Sequence, residues 1–174
     1  MISSSSGFSP WRLAALAVPL ASILVAVLMM PLPFGIKVWG VTIMPSLPLL
    51  AIFLWTVYRP DLLPPAAVLL SGLLYDLLIN GPTGSSSVVF LAVYAITLSQ
   101  RVYWKTLQNS GLLGGFVWIA VAAEFLSWAT ASFSFGHLLN PVPALVEGAT
   151  SILVLPIARQ MFIPLERLVG PGTA

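Results

Sequence analysis

Long stretches without a charged residue, Leu13 to Met30, Val41 to Tyr58 and Val88 to Gln100, restrict most strongly what this chain can fold into. Charges gather between them, at Arg12, Lys37, Arg59 with Asp61, and Arg101 with Lys105. A soluble domain wraps its core in a polar shell, with about a quarter of its residues charged. Here 7% are charged and 59% hydrophobic, too few polar groups for such a shell. The sequence therefore predicts an integral membrane protein. A crossing helix needs about 20 mostly apolar residues. Residues 1–174 thus read as one all-α polytopic domain, a bundle of about six transmembrane helices.

The predicted spans follow in order. Leu13 to Met30 is stopped by Pro31 and Pro33. Val41 to Tyr58 is the weakest segment, because Pro45 and Pro48 interrupt its first half and favour a bent or re-entrant start. Pro64 to Asn80 opens on prolines, which a first helical turn tolerates, and leaves through the turn formers Asn80-Gly81-Pro82-Thr83-Gly84. Val88 to Gln100, Leu112 to Phe133 and Pro143 to Ile163 complete the set. Residues 1–10 read as a disordered tail. Leu13 to Met30 ends without a small-x-small cleavage site and reads as an uncleaved anchor rather than a signal peptide.

Six crossings place Arg12, Arg59, Arg101, Lys105, Arg159 and Arg167 on one side and leave Lys37 alone on the other. Basic residues in short loops mark the cytoplasmic face, so both termini are expected there. Without the second crossing, Arg12 would oppose Arg59, Arg101 and Lys105. Trp11, Trp55, Tyr58, Tyr103 and Trp104 on the inner side and Trp39 on the outer side fit interfacial aromatic belts.

Chemistry-bearing motifs are scarce. No phosphate-binding glycine loop, metal-ligand spacing or nucleophile-base set is legible, so neither catalysis nor a metal or cofactor is expected. The net charge of +2 does not suggest nucleic acid. With no cysteine there is no disulfide framework. The single histidine, His137, falls in a predicted outer loop.

Asp76, Glu124 and Glu147 lie at or near membrane depth, where carboxylates face a bundle interior, a cavity or a partner. Glu147 follows Pro143 closely enough for the helix dipole to account for it. Glu124 reads either as a neutral interhelical hydrogen-bonding group or as a ligand or proton site. Gly72 and Asp76, four apart, share a helix face, and Gly111 with Gly115 forms a small-xxx-small pair. Either face can serve packing within the chain or docking of another helix. Arg59-Pro60-Asp61 reads as a turn whose charges complement the flanking helix dipoles.

Tyr58-Arg59-Pro60-Asp61, Gly72-x-x-x-Asp76 and Pro82-x-Gly84, in a chain of this length and hydropathy, resemble the MreD family of bacterial rod shape-determining proteins. The motifs lie within about residues 45 to 105. Asn80 stands where the family often has Gly, and Thr83 where Leu is common. The resemblance implies a non-catalytic scaffold of the cell-elongation machinery in the bacterial inner membrane. It would bind the bitopic protein MreC, near MreB filaments, the glycosyltransferase RodA and a class B penicillin-binding transpeptidase. The implied fold is similar to the six-helix substrate-binding subunits of energy-coupling-factor transporters. That likeness supplies an alternative, a vitamin-binding subunit using Asp76, Glu124, Glu147, Trp118 and Trp128.

Overall fold

The computed structural model describes residues 10–31, 36–38, 41–106 and 108–168. Six helices make up the body: α1 (Pro10–Met29), α2 (Leu47–Tyr58), α3 (Pro65–Ile79), α4 (Ser85–Thr106), α5 (Gln108–Phe135) and α6 (Val142–Leu168). A hairpin of two three-residue strands, β1 (Ile36–Val38) and β2 (Val41–Ile43), precedes α2, and a 3₁₀ turn (Pro60–Leu62) links α2 to α3. Trp39 and the tail 1–9 lie outside the described residues, as do the side chains of Trp11, Arg12, Lys37, Lys105 and Arg167.

The second apolar segment departs from expectation at its start. Val41–Ile43 pairs antiparallel with Ile36–Val38 instead of beginning a helix. Pro45 and Pro48 explain this: a helix accepts proline only in its first turn, so α2 begins at Leu47 with Pro48 near its N-terminus. At 12 residues α2 spans about 18 Å, well short of a bilayer core of about 30 Å.

What α2 lacks in length it makes up in burial. Leu49, Leu50, Ile52, Phe53, Leu54, Trp55, Thr56 and Val57 are all buried, so every side of the helix is covered. A helix apolar all round belongs in an interior, and α1, α4 and α6 pack about this one. Phe53 meets the rings of Trp104 and Phe116 at 5.8 and 4.9 Å, while Trp55 meets Phe162 edge-on at 4.7 Å.

Outside this core the polarity of a soluble protein is inverted. Leu24, Leu70, Leu77, Val121, Phe125, Leu153 and Met161 are exposed on the outer faces of α1, α3, α4's neighbour α5, and α6. Such an apolar girdle is what a lipid-solvated surface requires. Ser85–Trp104, Gly111–Phe135 and Val142–Leu165 are long and apolar enough to cross a membrane. Leu16–Met29, Leu47–Tyr58 and Pro65–Ile79 are shorter apolar helices. Helix length thus supports three of the six expected spans.

The aromatic belt is corrected in two places. Trp55 is fully buried and its indole donates to Ser22 Oγ at 2.8 Å, and Trp104 is 6% exposed. Tyr103, at 64% exposure, keeps a surface position. Indoles read from sequence as interfacial are recruited inward because their large apolar area fills the space around the short α2.

Candidate functional site

Of the residues carrying the family resemblance, Gly72, Asp76, Pro82 and Gly84 converge on the turn between α3 and α4. Asp76 closes the last part of α3, and Asn80 caps that helix in the left-handed conformation (φ 52°), which Asn tolerates better than most residues. The Gly81 amide donates to Asp76 O at 3.0 Å, and Gly84 takes a positive φ of 91°. The chain thereby turns back so that α4 starts beside the residue it has just left.

Asp76 satisfies that start. Its Oδ2 accepts from the Gly84 amide at 2.7 Å, and both oxygens accept from the Ser86 amide at 3.1 and 3.2 Å. These amides belong to the first turn of α4, which has no carbonyl partners of its own, and their dipole favours a negative charge. The carboxylate is 1% exposed and spent on the backbone.

Gly72 completes the junction one turn earlier. A Cβ there would lie 2.5 Å from Ser87 Cα, so the α3 and α4 backbones touch at this point. Ser87 Oγ donates to Leu69 O at 3.0 Å across the same contact. The Gly72 and Asp76 face is therefore filled by the chain's own α4. Pro82 belongs to the same turn, its carbonyl accepting from the Ser85 amide at 3.1 Å.

Arg59-Pro60-Asp61 forms a separate feature after α2. Arg59 is its C-cap, and Arg59 Nε lies 3.5 Å from Asp61 Oδ1. Asp61 belongs to the 3₁₀ turn, with Pro64 rather than an acidic residue capping α3, so its partner is Arg59 and not the α3 dipole expected from sequence.

The other two carboxyl residues meet Asp76 around a partly open cavity of about 190 Å³. Ser46 before α2, Tyr75 and Asp76 of α3, Ser86 of α4, Glu124 of α5 and Glu147 of α6 all line it. Thus α2, α4 and α6 begin at this end and α3 and α5 finish there, while Arg59, Arg101 and Arg159 stand in the far halves of their elements. Glu147 lies in the second turn of α6, not the first, so burial beside a polar partner replaces the dipole account. Ser46 borders the same cavity as Glu147, and the Ser46 amide donates to Ser151 Oγ at 2.8 Å. Ser151 Oγ in turn donates to Glu147 O at 2.8 Å, tying the start of α2 to α6.

The alternative reading grouped Asp76, Glu124 and Glu147 at one cavity, whereas the four serines and Tyr75 that join them there were not legible in the sequence. Among the described residues no group of three side chains is arranged to hold a metal ion. Trp118 is 77% exposed and away from the cavity, and the Trp128 indole donates to Leu139 O at 2.8 Å. His137 is exposed in the α5–α6 loop.

The Gly111 and Gly115 pair also serves the interior. A Cβ on Gly115 would lie 2.6 Å from the Trp104 ring, so that glycine makes the slot in which α4's indole rests. Comparison with protein-family models, curated proteins and solved structures gives no match.

Proposed function

We propose that this chain is a non-catalytic membrane scaffold of the MreD type. It would reside in the bacterial inner membrane as a multi-pass protein with both ends cytoplasmic. There it would hold MreC and, within the same assembly, RodA, a class B penicillin-binding transpeptidase and MreB filaments. The observation that carries this reading is the closure of the motif upon itself. Gly72, Asp76, Pro82 and Gly84 build one junction between α3 and α4, with both Asp76 oxygens taken by backbone amides. Residues used in this way define an architecture and leave no reactive group over, as a scaffold requires.

A second reading, a small-molecule-binding subunit like those of energy-coupling-factor transporters, draws on the polar cavity. Its volume of about 190 Å³ is below the roughly 300–1,000 Å³ of pockets that enclose such ligands, which favours the scaffold. Depletion in a rod-shaped host separates the two. Rounded, widening cells, with MreC recovered on affinity purification in mild detergent, are expected. Cells that keep their shape but require an external vitamin, with an ATPase module co-purifying, would establish the second reading instead.

A further inference from the structure

We infer that the cavity where α2, α4 and α6 begin binds a primary ammonium group on a short alkyl stem, from a free amine or from the head group of an aminophospholipid. This goes beyond the scaffold reading, which stands or falls separately on the recovery of MreC.

The lining of the cavity is one-sided in charge. Asp76, Glu124 and Glu147 border it, and among the described residues no basic side chain does. Asp76 is spent on backbone amides, but Glu124 and Glu147 make no ion pair among the described residues. Two carboxylates sharing one site oppose each other's ionisation, and a bound cation removes that opposition. Gly148 permits the arrangement. A Cβ there would lie 2.9 Å from Glu124 Cγ, so the bare backbone of α6 lets Glu124 sit against the helix that carries Glu147.

The rest of the wall favours an organic ammonium over a metal ion. Tyr75 and Phe90 both line the cavity, their ring centroids 5.8 Å apart. Aromatic faces attract an ammonium and cover its alkyl stem. Ser46 and Ser127 add hydroxyl oxygens, so the three donors of one ammonium can be shared between carboxylates and hydroxyls. Among the described residues no three acidic or histidine side chains are grouped for a metal. Size narrows the ligand further. About 190 Å³ far exceeds the roughly 10–15 Å³ that one water needs, yet stays below the roughly 300–1,000 Å³ of sites for drug-sized molecules. A group of a few heavy atoms fits between these limits, and the partly open wall gives it a way in.

Two measurements on the full chain separate the sources. Equilibrium dialysis in detergent against radiolabelled ethanolamine probes the free amine. Native mass spectrometry after reconstitution in nanodiscs of mixed phosphatidylethanolamine and phosphatidylcholine probes the lipid. Saturable one-to-one binding of ethanolamine, or selective retention of one phosphatidylethanolamine, is expected. Glu124→Gln and Glu147→Gln should each weaken that binding about tenfold or more, the scale of a lost hydrogen bond between charged groups. Leu153→Ala, on the exposed face of α6, should leave it unchanged. Ser127→Ala removes only a hydroxyl, should weaken binding about threefold, and supplies the test if a glutamine variant unfolds. Binding of neither probe would overturn the proposal, as would displacement by an equal concentration of sodium. Equal binding by the parent and folded glutamine variants would remove the carboxylates and overturn it too. Binding seen only in Lys37→Gln would mean that the chain fills the cavity with its own ammonium, and would overturn the external ligand.

Discussion

Asp76 Oδ2 accepts the Gly84 amide at 2.7 Å, so the last acidic residue of α3 is the N-terminal cap of α4. The cap reaches across eight residues instead of the usual two or three. It therefore couples a helix end, a turn and the next helix start. Losing it frees two half-buried amides at once.

Asp76→Ala should destabilise the protein by about 2 kcal/mol, the scale of hydrogen bonds to a charged acceptor. Asp76→Asn keeps an acceptor without the charge and should cost about half as much. Thermal unfolding in detergent, followed by circular dichroism, measures both. An Asp76→Ala midpoint equal to the parent's would show that the cap contributes nothing.

Two glycines give an internal contrast. Gly72→Ala places a methyl 2.5 Å from backbone that cannot move alone, so a cost of about 1–3 kcal/mol is expected. At Gly114 a Cβ meets nothing within 4 Å, and Gly114→Ala should be neutral or slightly stabilising, by up to about 1 kcal/mol. Equal effects in an unfolding series would refute the close α3–α4 approach.

Gly115 and Trp104 should behave as a coupled pair. Gly115→Ala collides with the indole, and Trp104→Leu opens a void beside Phe53. In the double variant the added methyl enters that void. A coupling energy of about 1 kcal/mol or more is expected from a double-mutant cycle, and strict additivity would deny the contact.

Orientation is tested by single cysteines in the cysteine-free chain. An impermeant thiol reagent applied to intact cells should label positions 37 and 137 and spare positions 4, 105 and 173. Labelling at position 105 would reverse the proposed topology.

The sequence by itself determined the transmembrane-like apolar segments and the turn at Asn80 to Gly84, because each follows from local composition or from residues that set φ. It also marked Asp76, Gly72 and Glu124 as positions that need a reason. The tertiary structure alone decided what those reasons are. Apolar helices such as α2 have no polar face to betray which side packs inward, so its central place, and the burial of Trp55 and Trp104, had no local signal. The tie between Ser46 and Ser151 joins residues 105 apart, and the meeting of Glu124 with Glu147 depends on how α5 and α6 lie together. Such contacts are set by side-chain shape across helices distant in sequence, which only the packed bundle specifies.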